Sequence, residues 1–315
     1  MTADGSGSGE SPVDVPLVRR LLAAQFPRWA ELPVAPVPVP GMDNAMFRLG
    51  DGMSVRLPRF ARWAGQVERE QRWLPRLAPY LPLPVSEPLG KGEPGQGYPF
   101  PWSVYRWLEG ETATADRIAD PVRTAAELAG FIAALQKIDA TGGPGPEASN
   151  AFRGVPMGDE RDSVACEARV RPRIAKLKGL IDIDAVTAVW EAALSAPAWN
   201  SPPVWVHGDL GPGNLLTAGG RLSAVIDFGT LAVGDPAVDL IPAWNFPAPA
   251  REVFRTTLGV DDATWARGRG WALAGALPVP DDPYFKDPVR VTNALRVLRA
   301  LIDDPRMPQG PSRPS

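Results

Sequence analysis

The sequence predicts an α+β chain of two lobes, a small antiparallel strand-rich lobe with one internal helix and a larger, mainly helical one. Three observations carry this reading. Short extended runs dominate the chain before Gly110, whereas apolar residues at three- and four-residue intervals dominate after it. A strand-like pair of segments flanks Asp51-Gly52, the strongest short-range signal for a hairpin. The length of 315 residues suits about two units at roughly 150 residues each.

Each element follows from a local signal. Residues 1–12 are small, polar and Gly/Ser-rich and read as a disordered tail; residues 306–315 read as a flexible one. Asp14 can cap a helix with Pro16 in its first turn, and Leu17, Leu21, Leu22 and Phe26 follow at helical spacing. Extended pieces come next: VPVP (37–40), NAMFRL (44–49) and MSVRLP (53–58). Residues 61–77 place Trp63, Val67, Trp73, Leu74 and Leu77 among charges, an amphipathic helix. Extended segments near 85–89 and 98–108 flank the turn KGEPGQG (91–97). The first lobe, 13–108, therefore ends where the composition turns helical, and the second runs over 109–305. There, helices are expected at 121–139, 163–178 and 183–195. A Gly/Pro-rich connection at 140–160 is long enough for a substrate-side loop. A strand-rich insert covers 203–228, and three or four helices run on to Asp303.

Composition excludes several classes. With 33 Lys+Arg against 36 Asp+Glu, the net charge of −3 lacks the basic excess of a nucleic-acid binder. One cysteine (Cys166) and one histidine (His207) provide neither an internal disulfide nor a Cys/His zinc set. No apolar run reaches the ~18 residues of a membrane span, and the N-terminus lacks the pattern of a signal peptide. A cytoplasmic protein without membrane or nucleic-acid partners, monomeric or weakly dimeric, is expected. Arginine outnumbers lysine 28 to 5, as in a GC-rich coding sequence, so arginine is to be expected where other proteins use lysine.

The chemistry lies in VWVHGDLGPGNLL (204–216) and AVIDFGTLAVGDPAVDL (224–240). VWV is a buried-strand triplet, and GDLGPG is a loop at its end. A hairpin through Gly219-Gly220 brings Asn214 and Asp227 together at its open end, with Asp209 five residues before Asn214. Such a set of oxygen side chains suits phosphoryl transfer. Hard cations bridging nucleotide phosphates prefer carboxylate and amide oxygens, and a separate carboxylate must orient the attacking hydroxyl and accept its proton. One carboxylate serves both roles poorly, because a bound cation lowers its basicity. Asp209 is thus the candidate base, and Asn214 and Asp227 are candidate Mg²⁺ ligands. Their spacing matches the kinase pattern H-R-D-x-x-x-x-N followed by D-F-G, with His207-Gly208-Asp209, Asn214 and Asp227-Phe228-Gly229 in those places.

H-G-D-L-x-x-x-N with I-D-F-G and G-D-P-A-x-D-L resembles the aminoglycoside phosphotransferase family, small-molecule kinases with a two-lobed protein-kinase-like fold. The resemblance covers about Leu17 to Asp303. It implies ATP or GTP bound between two lobes, a substrate held by the helical lobe, Asp209 as base and Asn214 and Asp227 on the metal. It also implies structural roles for Asp235 and Asp239, bracing the metal-binding segment and capping the next helix. His207 reads as a brace of the loop rather than a proton carrier.

The first lobe lacks G-x-G-x-x-G. The corresponding turn is GMDNAMFRLG (41–50), where Gly41 and Asn44 tolerate the backbone angles needed to approach phosphates. The strand cation is Arg56 in SVRLPR, in place of the usual lysine, with Arg48 and Arg59 as rivals. Its helix partner is Glu70, with Glu68 second; Leu74 and Leu77 complete a pattern similar to the family's E-x-x-x-L-x-x-L. WSVYRWLEGE (102–111) reads as the hinge. The resemblance assigns the purine edge to the backbone of Tyr105, Arg106, Trp107 and Leu108, whereas the rings of Trp102, Tyr105 and Trp107 read more readily as core than as a base-stacking surface.

Only a few residues separate Asp227-Phe228-Gly229 from GDPAVDL, which leaves no room for an activation loop and disfavours a peptide substrate. The expected activity is transfer of the γ-phosphate of ATP or GTP to a hydroxyl of a small molecule such as an antibiotic. A kinase of a primary-metabolite hydroxyl and an inactive nucleotide-binding module, the latter motivated by Arg56, are the alternatives. Residues 231–304 carry ten acids and eight bases, too mild an excess to single out a polycationic acceptor. Asp281 and Asp282 are the candidate substrate contacts.

Overall fold

The computed structural model describes residues 13–38, 43–162, 164–278 and 287–304. The two tails, Gly41, Asp281 and Asp282 lie outside them. The chain divides into two compact units: residues 1–79 with 84–109, and residues 80–83 with 110–315.

The first unit is built on a five-stranded antiparallel sheet. Its strands are β1 (Val34–Pro36), β2 (Asn44–Leu49), β3 (Met53–Pro58), β4 (Pro88–Gly92) and β5 (Trp102–Arg106), in the order β1-β2-β3-β5-β4. The hairpin over Asp51-Gly52 forms with the predicted strand limits. β1 begins three residues before the extended segment predicted at 37–40, of which Val39 and Pro40 lie outside the described residues. Its ladder extends through Val37, whose N–H donates to Met46 O (3.0 Å), and Pro38 then has no N–H to continue it.

The period of two along the strands sorts the side chains. Ala45, Phe47, Leu49, Val55, Leu57, Trp102 and Val104 join the core with Leu17, Val18, Leu21 and Leu22 of α1 (Val15–Gln25), which Asp14 caps. Cross-strand partners share a face. Arg56 therefore stands beside Ser103, and Ser54 beside Tyr105, on the opposite side. This second face meets α2 (Gly65–Leu77). Gln71 Nε2 donates to Gly90 O and Ser103 Oγ, both at 3.0 Å. The helix predicted over 61–77 is thus a short 3-10 turn, Ala61–Trp63, followed by α2.

The second unit contains α3 (Pro121–Lys137), α4 (Glu167–Ala175), α5 (Ile183–Ser195), α6 (Ala248–Leu258), α7 (Asp262–Ala276) and α8 (Pro288–Ile302). Leu128, Phe131, Ile132 and Leu135 form the buried stripe of α3, which packs on α6. Strands β6 (Glu111–Thr112), β8 (Leu215–Ala218) and β9 (Arg221–Val225) form one antiparallel sheet, and β7 (Val204–Val206) pairs with β10 (Ala232–Gly234) in another. The segment after Asp235 is a 3-10 helix, Pro236–Asn245, packed on α7. Pro236 and Pro242 remove two N–H donors from it.

Gly92 allows β4 to approach Trp102, since a Cβ there would lie 2.0 Å from the ring's Cε2. Trp102 is fully buried and has no room to retreat. Gly92→Ala is expected to lower stability by about 1–3 kcal/mol. The shift of the denaturant midpoint measures this, and an unchanged midpoint contradicts it.

Candidate active site

β7 delivers the chain into the fully buried His207, then Gly208 and the exposed Asp209. The return of the loop is fixed locally: Gly211 N–H donates to Asp209 O (3.0 Å), and Asn214 N–H donates to Gly211 O (2.9 Å). Asn214 Nδ2 donates to Asp209 O (2.7 Å) and to Asp209 Oδ2 (3.1 Å). That arrangement turns the amide nitrogen toward the carboxylate and frees Asn214 Oδ1 to face elsewhere. Asp209 Oδ1 has no hydrogen-bond partner among the described residues.

The hairpin β8–β9 opens where the sequence expects it to. Ile226 N–H donates to Asn214 O (2.9 Å), so Asp227 directly follows the residue paired with Asn214. Asp227 takes φ of 64°, a left-handed conformation that costs a non-glycine residue about 1–2 kcal/mol, less for Asp than for most. Two carboxylates and an amide are hard oxygen donors without a soft ligand. Among the described residues no group of three or more His, Cys, Asp or Glu side chains is placed so that it could hold a metal ion by itself. Hard oxygen donors of this kind suit Mg²⁺, which keeps waters and takes phosphate oxygens rather than needing an all-protein cage.

Asp239, with no solvent exposure, braces this loop. Its Oδ2 accepts from His207 N–H and its Oδ1 from Gly208 N–H, both at 2.8 Å. Burial pushes its carboxyl above the usual range, while His207 and the two N–H groups oppose that rise. His207 is braced in turn. Its Nδ1 accepts from Asp209 N–H (3.3 Å), which leaves the proton on Nε2 to donate to Ile226 O (3.0 Å). Both ring nitrogens are thus committed, and Phe228 packs on the ring at 4.5 Å between centroids. Asp235 caps the 3-10 helix through Ala237 N–H (3.0 Å) and forms a two-pronged pair with buried Arg267 (2.8 and 3.2 Å). Asp239 accordingly holds the loop of Asp209 directly, where the sequence assigned it to the metal-binding segment.

In the first unit, Arg56 Nη1 lies 3.3 Å from Glu70 Oε1, with the two residues 7% and 1% exposed. The rivals are engaged elsewhere. Arg48 bonds Asp51 O (2.7 Å) and Glu109 Oε1 (3.3 Å) and lies over Trp107 (4.1 Å), while Glu68 pairs with Lys91. Arg59 lies beyond the end of β3. Asn44 Nδ2 donates to Gln66 Oε1 (3.5 Å), which ties it to α2. The N–H groups of Arg106 and Trp107 are taken by Glu87 O (2.8 Å) and Gly52 O (2.9 Å), so neither N–H is open to a purine. The rings of Trp102 and Tyr105 are buried, so neither offers a face to a base.

Sequence reasoning missed three contributors. Arg153 sits where a Gly208 Cβ would lie, its own Cβ and Cγ within 2.8–2.9 Å of that point, and it pairs with buried Asp162 (3.0 Å). Thr230 Oγ1 donates to His207 O (2.8 Å). Arg267 was unremarked, and Tyr105 was read for its backbone although its hydroxyl meets Glu70. None has a spacing signature, since each acts on residues distant in sequence.

A model of the phosphotransferase enzyme family matches residues 36–271. The chain belongs to that family. It is a phosphotransferase with an alcohol group as acceptor. The phosphotransferase is similar in fold to the GDP complex of aminoglycoside 2'-phosphotransferase-IIIa, at 19% identity and TM-score 0.64, over 90% of this chain and 97% of that one. The streptomycin-ATP complex of APH(2")-IIa gives 17% identity and TM-score 0.54, over 93% and 99%. Macrolide 2'-phosphotransferase MphH from Brachybacterium faecium gives 22% and 0.54, over 89% and 97%. A comparison with curated protein sequences found no match. Among the described residues of the phosphotransferase, no helix is long and apolar enough to cross a membrane.

Gly208 has φ of 83°, and an added Cβ would also lie 2.9 Å from Thr230 O. Gly208→Ala is therefore expected to cost about 1–2 kcal/mol of backbone strain and to shift the loop of Asp209. Thermal melting and nucleotide turnover check this, with losses expected in both.

Proposed function

We propose that the protein moves the γ-phosphate of ATP or GTP to a hydroxyl of a small molecule, an antibiotic being the acceptor class best supported. The observation that carries this is the double anchorage of Asn214. Its side-chain amide bonds Asp209, and its backbone oxygen bonds the residue before Asp227. Base and ligand set therefore share one hairpin end. The solved relatives include nucleotide complexes and enzymes named for aminoglycosides and macrolides, which supports both the co-substrate and the acceptor class.

Asp209 is the general base. Its Oδ1, without a partner among the described residues, is open to an acceptor hydroxyl, and the bond from Asn214 to Oδ2 fixes the plane of the carboxylate. Asn214 Oδ1 and Asp227 would hold Mg²⁺, which when bound neutralises charge developing on the phosphates. Asp239 and His207 keep the loop rigid, so that Asp209 meets the hydroxyl without reorganising. Arg56 is assigned to the α- and β-phosphates with Glu70 as its anchor; arginine supplies a planar pair of donors there in place of the single lysine ammonium.

Asp209→Ala is expected to cut turnover by several orders of magnitude and leave nucleotide affinity nearly unchanged. ATP and GTP consumption against a panel of hydroxylated antibiotics, with calorimetric nucleotide titration, measures both. Turnover at the parent rate removes Asp209 as base. Nucleotide binding without turnover across the panel and a set of metabolite alcohols favours the inactive module. Arg56→Ala is expected to weaken nucleotide binding, and an unchanged affinity moves that role to Arg48 or Arg59.

A further inference from the structure

The pair Arg56–Glu70 has a third member. Tyr105 is 2% exposed, and its hydroxyl donates to Glu70 Oε2 at 2.5 Å, while Glu70 Oε1 faces Arg56. Arg56 Cζ lies 5.2 Å from the centre of the Tyr105 ring. The tyrosine thus touches both partners, one through its hydroxyl and one through its π-face. We propose that Tyr105 is a positioning residue for nucleotide binding, fixing the Glu70 carboxylate and through it the guanidinium of Arg56. This rests on the assignment of Arg56 to the phosphates.

The argument is one of geometry and freedom. Arg56 Nη1 meets Glu70 Oε1 at 3.3 Å, at the long end for a hydrogen bond and longer than the contact that Tyr105 makes to Oε2. The shorter bond from Tyr105 sets which oxygen faces the cation. Burial, and then the charge of Glu70, hold the hydroxyl well above the usual tyrosine range, so it remains a donor. Arginine is longer and bulkier than lysine, and the ring limits where its planar head rests. The sheet register produces the cluster: Arg56 pairs with Ser103, so Tyr105, two residues on, shares its face. Gln71, next to Glu70, ties α2 to that face through Ser103 and Gly90. The helix is therefore held independently of the tyrosine, and removing one hydroxyl leaves the packing in place.

The test uses the full-length protein with ATP and GTP in the presence of Mg²⁺, titrated by calorimetry, and needs no acceptor. Tyr105→Phe is expected to weaken nucleotide binding about tenfold, the scale of one hydrogen bond to a charged group. Combined with Arg56→Ala it is expected to add nothing, because no cation remains to be placed. Apo melting temperatures are recorded for all variants, and Arg56→Gln replaces Arg56→Ala should the latter not fold. A Tyr105→Phe protein that melts lower but binds nucleotide normally overturns the proposal and leaves a purely structural role. An equal loss with and without Arg56 overturns it too. If the Arg56 variant itself binds nucleotide normally, the assignment of Arg56 fails first, a result distinguishable from loss in Arg56→Ala with none in Tyr105→Phe.

Discussion

Two successive backbone N–H groups, at His207 and Gly208, point at one buried carboxylate, and the organisation of the second unit follows from that arrangement. Asp239 can reach them because the 3-10 helix Pro236–Asn245 carries it under the end of β7. An ionisable side chain without solvent exposure is costly unless its oxygens are satisfied, and these two N–H groups are the partners that satisfy them. In return, the loop between β7 and β8 cannot drift. His207 then spans the gap to Ile226, and Asn214 closes the loop onto Asp209. Rigidity passes from the buried carboxyl of Asp239 to the exposed Asp209 through a short chain of hydrogen bonds.

The first unit solves a different problem with the same economy. A five-stranded sheet has two faces, and strict alternation gives one to α1 and the other to α2. The α1 face is wholly apolar. The α2 face carries Ser54, Arg56, Ser103 and Tyr105, and α2 returns Glu70 to Arg56 and Tyr105 and Gln71 to Ser103, which offsets the cost of burying these polar groups. A charged group is thereby held on a rigid strand rather than on a mobile loop, a setting suited to a fixed phosphate partner.

The hairpin over Asp51-Gly52 and the hairpin through Gly219-Gly220 were legible because turn chemistry and strand alternation act over a few residues. Arg56 was legible from its central strand position, whereas Glu70 rather than Glu68 as its partner came from the resemblance to the family's E-x-x-x-L-x-x-L pattern at Leu74 and Leu77. The start of the edge strand at Val34, ahead of the extended run expected at 37–40, was not legible, because pairing with β2 rather than composition decides where a ladder begins. The sequence pattern after Asp235 predicts a helix without its type; Pro236 and Pro242 mark the 3-10 form, and packing against α7 holds it.

The sequence by itself determined the two-part α+β plan and the phosphotransferase family, since each is written in neighbouring residues at fixed intervals, and it named Asp209, Asn214 and Asp227 as the candidate oxygen donors. Only the tertiary structure decided that Asp239 holds the loop of Asp209, that Arg153 fills the space above Gly208, and that Tyr105 turns its hydroxyl to Glu70. These contacts join residues 31, 55 and 35 positions apart respectively. Local periodicity carries no information over such separations; they are fixed by which face each strand and helix must bury.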